Sequence, residues 1–512
     1  MSWNESRDCC RWDGVTCDLL NGHVIGLDLS CSLLSGSIHP NSTLFQLHHL
    51  QTLNLANNYF DTSSSIPHNI GQLTNLRHLN LSWSHFSGKI PTEISYLSNL
   101  VSLDLSECQF SGSIPDSIGN LTQITELALS YNHFTGHIPS TISKLKHLTH
   151  LELSSNSFSG EIPDVFSNLQ ELRYLHLYDN SLIGSFPSTI SNLTHLESLA
   201  LTSNSLSGPL PNNANILQKL TRLELNNNSL NGTIPSWVFN LPLASSLWLH
   251  NNQFSGLPHE IKTNPTLEYL YLSNNQLSGS LHQSLANLTN LSTLDLSTNN
   301  ITGDAGTNIT FPRLQVLQLS CCELKDFPYF LRNVKTLSVL DMSKNKIHGQ
   351  IPNWFSGMRW DSLQFLNLSH NSLTGHLPQF HYHSLDGSLP AEVFRNFKAM
   401  IKLDDREEGE IKYMSQYLNG NSIYEDSKCG TSDPSHVPQP LEEEEEDDES
   451  YFFSGFTWES VVIGYSFGLV VGTVMWSLMF KYRKPKWFVE FFEGIFPKKM
   501  RRSKKRRLRR WI

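Results

Sequence analysis

One phrase recurs through this chain and leaves few folds open to it. "LTHLELSSNSFSGEIP" begins at Leu148, "LRYLHLYDNSLIGSFP" at Leu172, "LESLALTSNSLSGPLP" at Leu196 and "LTRLELNNNSLNGTIP" at Leu220, each 24 residues after the last. Aligned on the Asn of LxLxxN, the equivalent positions are 32, 58, 84, 108, 132, 156, 180, 204, 228, 252, 275, 299, 322, 345 and 371. Fifteen units spaced by 23 to 26 residues make a repeat architecture, in which no unit has a core of its own and stacking neighbours build a shared one.

The phrase itself predicts the local structure. In LxLxx the leucines alternate with polar residues, so a short strand buries one face and wets the other. The Asn falls where the chain turns off the strand; buried there, its amide must bond neighbouring backbone, and equivalent amides form a ladder from unit to unit. Ser32, Ser84, Cys108 and Cys322 replace it in four units. The following SGxIP bends the chain, Gly by its permissive dihedrals and Pro by stopping a helix or ladder.

Charge divides the rest. Val461 to Phe480 is an uncharged run of twenty residues, about 30 Å as a helix and long enough to cross a lipid bilayer. Behind it, residues 481–512 hold fourteen Lys and Arg against Glu490 and Glu493. The positive-inside bias places this tail in the cytoplasm and residues 1–460 outside. That exterior has 23 basic and 45 acidic residues, which argues against nucleic acid as a partner. Glu442 to Glu449 is unbroken acid and reads as an extended juxtamembrane stalk. Gly464, Gly468 and Gly472 form one small-residue stripe that lets another helix approach closely.

Together, the LxxLxxLxLxxNxLxGxIP phrase, the "SWNESRDCCRWDGVTC" segment from Ser2 to Cys17, the acidic stalk, the glycine-rich span and the basic tail resemble the plant leucine-rich-repeat receptor-like proteins, particularly those akin to the tomato Cladosporium-resistance receptors. The resemblance implies an α/β horseshoe, a leucine-rich-repeat solenoid of about 15 plant-type 24-residue repeats, followed by a single transmembrane helix. The expected divisions are a cysteine-cap remnant at 1–23, repeats at 24–378, a partial repeat and island-like remnant at 379–428, a cap remnant and stalk at 429–460, the transmembrane helix at 461–480 and the cytoplasmic tail at 481–512. It also implies a plasma-membrane, single-pass receptor without a kinase that perceives a pathogen-derived or peptide ligand in plant defence. Its output would pass to a receptor-like kinase paired through the transmembrane helix. A developmental receptor, or a non-signalling wall-facing inhibitor, fits the same features.

Candidate residues follow from this reading. The polar positions of the strands face a concave surface, and aromatics gather there at Arg173, Tyr174, His176, Tyr178 and Asp179, and again at Trp248, His250, Glu268, Tyr269 and Tyr271, with Tyr131 and Trp83 weaker. Exposed rings among charges have the composition of binding hot spots for a protein, peptide or glycan. The resemblance implies a Cys10–Cys17 disulfide; Cys9 is left alone or meets Cys31, and Cys321 and Cys322 are expected as buried reduced thiols. Sequons at Asn4, Asn41, Asn120, Asn192, Asn227, Asn231, Asn287, Asn290, Asn300 and Asn308 suit a secreted glycoprotein, while Asn80 and Asn367 fall within strands and are expected bare. No nucleophile elbow, phosphate loop, metal spacing or cofactor motif is present, so neither an enzyme nor a cofactor protein is expected.

The ends of the chain are expected to be incomplete. No apolar secretory segment precedes the cap, and the ladder breaks after Pro378 at "QFHYHSLDGSLP". Cys429 then reads as the survivor of a capping pair.

Overall fold

The computed structural model describes residues 8–374 apart from 213–216, 282, 304–308 and 357–361. Asn4, Asn308, the island-like segment, Cys429, the acidic stalk, the Val461–Phe480 run with Gly464, Gly468 and Gly472, and the basic tail lie outside the described residues. Among the described residues no helix is long and apolar enough to cross a membrane.

One long sheet of sixteen strands carries the repeat. It opens with Val15–Cys17, antiparallel to Val24–Asp28, and then adds one parallel strand per unit as far as Phe365–Asn367. The strands are short because only LxL alternates, and they stack in register: Leu127 pairs with Leu151, Leu151 with Leu175 and Leu175 with Leu199. These leucines are fully buried, as are their partners two residues on, Leu129, Leu153, Leu177 and Leu201. Truncating one such leucine to Ala would cost about 2–5 kcal/mol, because a stacked core has little freedom to collapse around the hole.

The ladder is made as its residue type requires. Asn132 Nδ2 donates to the carbonyl of Leu105 in the preceding unit (2.8 Å) and to that of Leu129 in its own (3.1 Å). Its Oδ1 accepts from the N–H of Phe110, again in the preceding unit, at 2.9 Å. Asn156, Asn180, Asn204 and Asn228 repeat the pattern. Ser84 Oγ reaches Leu55 O at 2.8 Å, and the Cys108 and Cys322 thiols reach Leu81 O and Leu296 O at 3.3 and 3.4 Å. Burial pushes those two thiols up to about 11 and about 12, so both stay protonated and inert.

Two regularities are not visible in the leucine pattern. The residue immediately before each ladder position is left-handed, with φ between 50° and 56° from Cys31 through Asn57, Trp83, Tyr131, Asp179, Asn251 and Thr298 to His370. Asn and Asp tolerate that geometry; Trp83, Tyr131 and Thr298 hold it against a cost of about 1 kcal/mol or more because the hydrogen-bonded turn overdetermines it. Second, the segment expected only to bend forms another parallel sheet of eight strands, from Ser87–Gly88 to Gln253–Gly256. Phe110, Phe134 and Phe158 point inward from it, Phe86 sits just ahead of its first strand and Phe60 lies on a separate two-stranded pair with Ser35–Gly36; the five rings stack in a buried spine with centroids 4.7 to 6.4 Å apart.

The helical layer corrects the α/β expectation. The return segments are almost all 3-10 turns, such as Thr92–Tyr96, Asp116–Asn120 and Ser140–Lys144. Four-residue α-turns occur at Ser236–Phe239 and Asn353–Ser356. The apolar period explains this: Ile118, Leu121 and Ile124 are all fully buried and spaced by three, the repeat of a 3-10 helix rather than an α-helix.

The cysteines need a second correction. Cys10 and Cys17 form a disulfide with Cα atoms 5.5 Å apart, and Cys9 and Cys31 are free thiols. Cys322 is a buried free thiol, but Cys321 is disulfide-bonded rather than reduced. Cys322 occupies the inward ladder position, whereas Cys321 occupies the left-handed position before it, whose side chain is half exposed and open to a partner.

Candidate ligand-binding surface

The residues between the leucines project from the open face of the long sheet, and at seven of the fifteen units they are Asn or Asp. Ring side chains gather in two places. The first cluster centres on Tyr174–His176. Tyr174 stacks on His150 from the preceding strand, centroids 4.5 Å apart and planes within 11°. Arg173 donates to Glu197 Oε1 at 2.9 Å, and the Tyr174 hydroxyl donates to the other oxygen at 3.1 Å. That bond and the Glu197 charge raise the Tyr174 phenol above its usual range. His176 is held on both sides, Nδ1 to Glu152 at 2.9 Å and Nε2 to the Ser198 hydroxyl at 2.8 Å. The hydroxyls of Tyr178 and Tyr131 lie 3.2 Å apart, spanning two units. Burial, then the Tyr131 hydroxyl, pushes Tyr178 up to about 12. Asp179 stays exposed at its left-handed turn.

The second cluster lies three strands further on, about 14 Å at the usual ~4.8 Å strand spacing. Trp248 and Tyr271 meet with centroids 4.7 Å apart, and His250 lies 5.9 Å from Trp248 and 6.3 Å from Tyr271, edge-on to the latter. Trp248 is 36% and Tyr269 40% exposed, and Glu268 is exposed beside them. Burial lowers His250, against the opposing charge of Asp295, which favours the neutral ring. His250 Nδ1 and Ser273 Oγ are buried without a hydrogen-bond partner. Between the clusters one strand is small and buried, Ser198 and Ala200 being 5% and 1% exposed, and the next carries the Arg222–Glu224 ion pair.

The ring residues named from the sequence therefore fall into two real clusters, while Trp83 stands apart at 60% exposure. Sequence reasoning passed over His150, Glu152, Glu197, Ser198, Ser273 and Asp295. The signal was available: residues 24 apart lie side by side, so each named ring points to its neighbours one period away. A row of amides was also missed, Asn274 donating to Asn251 Oδ1 (2.8 Å), Asn251 to Asn227 Oδ1 (2.5 Å) and Asn227 to Ser203 Oγ (3.3 Å).

Of the sequons, Asn41, Asn120, Asn192, Asn227 and Asn300 are exposed, and Asn231 is half-buried. Asn287 and Asn290 donate their amides to Ile261 O and Pro265 O. Asn80 and Asn367 end their strands and accept from Ser82 and Ser369. The sulfurs of Cys9, Cys10 and Cys17 lie within 4.8 Å of one another, but the disulfide leaves one thiol, too few donors for a metal. A cavity of about 950 Å³ under the cap, lined by Trp12, Val15, Leu27, Leu34 and Phe60, is the apolar end of the stack and lies apart from both clusters.

The family model for the leucine-rich repeat region matches residues 29–170 and 163–381. The chain belongs to the leucine-rich-repeat family. Among its curated relatives, Receptor-like protein 6 of Arabidopsis thaliana is 56% identical over 89 residues, 17% of this chain and 9% of that protein. Receptor-like protein Cf-9 of Solanum pimpinellifolium is 54% identical over 67 residues, 13% of this chain and 8% of that protein. The matched stretches thus span under a tenth of these relatives. The resemblance to plant leucine-rich-repeat receptor-like proteins rests on them. Among solved structures, the PEPR1–AtPEP1 complex superposes with a TM-score of 0.66 at 31% identity, over 73% of this chain and 52% of that one. The plant peptide hormone receptor RGFR1 in complex with RGF2 gives 0.53 at 27% identity, over 71% and 72%.

Proposed function

We propose that this leucine-rich-repeat chain is the ligand-recognising part of a plant cell-surface receptor that binds an extracellular peptide on the open face of its long sheet. One observation carries the reading. Two ring clusters, Tyr131–His150–Tyr174–His176–Tyr178 and Trp248–His250–Tyr271, gather on a face whose other strands carry mainly polar side chains. Half-buried rings on a rigid strand scaffold bring large contact area at low entropic cost. The names of the similar proteins support the same class: two are receptor-like proteins, one a peptide hormone receptor in complex with its peptide.

Signalling would pass to a receptor-like kinase through the Val461–Phe480 helix and its Gly464, Gly468 and Gly472 stripe, in defence. The test combines two variants. Tyr174, Tyr178, Trp248 and Tyr271 all changed to Ala should abolish the response to ligand while the protein still reaches the cell surface. The three glycines changed to Leu should abolish kinase co-purification while membrane insertion persists. Normal responses in the first variant, or intact co-purification in the second, would remove the corresponding half of the reading.

A further inference from the structure

We propose that the Trp248–Tyr271 cluster is a guanidinium site, which takes an arginine side chain of the peptide ligand, stacks it on the two rings and pairs it with Asp295. This rests on the open face being the ligand surface and adds the chemistry of what one part of it takes.

The charge distribution comes first. The strand segments 245–248, 268–271, 292–295, 315–318, 338–341 and 364–367 carry Glu268, Asp295 and Asp341 and neither Lys nor Arg. Three acids of the face meet cations within the fold: Glu197 pairs with Arg173, Glu224 with Arg222 at 2.5 Å, and Glu152 meets His176. Asp295 does not; Asp104 and Asp341 also lack a cation among the described residues, but they are half-buried, whereas Asp295 is fully buried. It is 2% exposed, accepts from the backbone N–H of Ser297 through Oδ1 at 3.0 Å, and has no ion-pair partner among the described residues. A carboxylate buried without a counter-charge is costly, and the arrangement is completed by a cation from outside.

Independent of the acid, two buried polar atoms on the same face are unpartnered. Ser273 is 3% exposed with its Oγ unbonded, and His250 Nδ1 on the adjacent strand is likewise unbonded. A hydroxyl oxygen and the lone pair of a neutral imidazole are both acceptors. The niche therefore offers acceptors together with the faces of Trp248 and Tyr271, the complement of a planar cation with several N–H donors. A guanidinium stacks on rings and forks five donors outward; an ammonium has three donors and no plane to stack.

The experiment titrates the full chain in detergent with acetyl-Gly-Arg-Gly-amide, and with the analogues carrying citrulline, lysine or glutamate in place of arginine, by calorimetry. Citrulline keeps the shape of arginine and removes its charge. The arginine peptide should bind at least ~10-fold tighter than the citrulline peptide, with lysine between them and glutamate weakest. Asp295→Asn should bring arginine down to the citrulline level while melting no earlier than the parent, and Trp248→Ala should weaken both. Equal binding of arginine and citrulline that still depends on Trp248 would overturn the proposal and leave the ligand surface standing. Arginine binding unchanged by Asp295→Asn would overturn it too. No binding by any of the four peptides would overturn it, while the four-fold alanine variant tests the ligand surface separately.

Discussion

The two ring clusters stand on the same sheet, three strands apart, and differ in how completely they satisfy themselves. Around Tyr174 the ring tips and the charges beside them have found partners: Arg173 and Tyr174 on Glu197, His176 between Glu152 and Ser198, Tyr178 on Tyr131. The buried Ser154 Oγ, the repeat equivalent of Ser273, is left unbonded there. Around Trp248 the rings pack on one another, but Asp295, His250 Nδ1 and Ser273 Oγ are left without such partners. Backbone and ladder are the same beneath both. The difference therefore lies wholly in side chains that the repeat does not dictate. A self-paired surface is rigid and offers shape; an unpaired one offers unspent attraction to a partner.

The scaffold beneath the clusters gives the largest expected effects. Asn156→Ala and Asn252→Ala each strand a backbone N–H, that of Phe134 or Leu230, and remove one of the two ladder amides that each of two carbonyls accepts from. Each should cost about 2–4 kcal/mol, read from the shift in denaturant midpoint. Costs that differ by more than ~1 kcal/mol would break the claim that both clusters rest on one equivalent base.

Charge removal should then act with opposite sign. Glu152→Gln removes the negative charge beside a half-buried His176 and weakens the acceptor that holds it, and should destabilise by about 1 kcal/mol. Asp295→Asn removes a buried charge that has no counter-ion among the described residues, keeps an acceptor for the Ser297 N–H, and should be neutral or stabilising by up to about 1 kcal/mol. The same sign for both would erase the distinction between the clusters.

Asp341 sharpens the comparison through pH. Burial chiefly, with the charge of Asp295 adding to it, raises the Asp341 carboxyl above its ordinary value. A group whose folded pKa is raised gives stability that is complete below its unfolded value and is lost as pH rises through the folded one. The parent should therefore lose stability relative to Asp341→Asn as pH climbs above the ordinary carboxylate range. Parallel melting curves for the two proteins from pH 3 to 7 would show that the Asp341 carboxyl is not raised on folding.

The smallest effect concerns the left-handed turns beside the second cluster. Thr298 is β-branched at φ 54°, next along the row that ends with Asn274. Thr298→Asn should stabilise by about 0.5–1 kcal/mol by relieving the turn and extending the amide row, measured as a rise in melting temperature. A fall would mean that Thr298 makes contacts that outweigh its strain.

The sequence made the stack legible because a 24-residue phrase has one physical solution, and Asn at the turn has one set of partners. It did not make the second sheet legible. The SxSG segment lacks the alternating large apolar residues by which a strand is recognised, and pairs only because the leucine stack brings equivalent segments together. The 3-10 turns were hidden in a period of three that resembles a short helix. At the clusters, single residues such as Tyr174 and Trp248 stood out by type, whereas Glu197, Ser273 and Asp295 are ordinary in composition and matter through what lies beside them. Cys321 was misjudged for a similar reason: two adjacent thiols look alike in sequence, but the turn sends one inward and one out.

The amide ladder has a direction, and this makes the two ends of an opened stack chemically unlike. Asn132 grips Leu105 and Phe110, both of the preceding unit, and the interior ladder residues Asn156, Asn180, Asn204 and Asn228 repeat that backward hold. Removing a unit from either side breaks the same bonds, but what is left bare differs. Peeling from the C-terminal side bares a main-chain N–H that is fixed in place, whereas peeling from the N-terminal side bares a side-chain amide that can turn toward water. A C-terminal cut through the stack therefore leaves the stickier face.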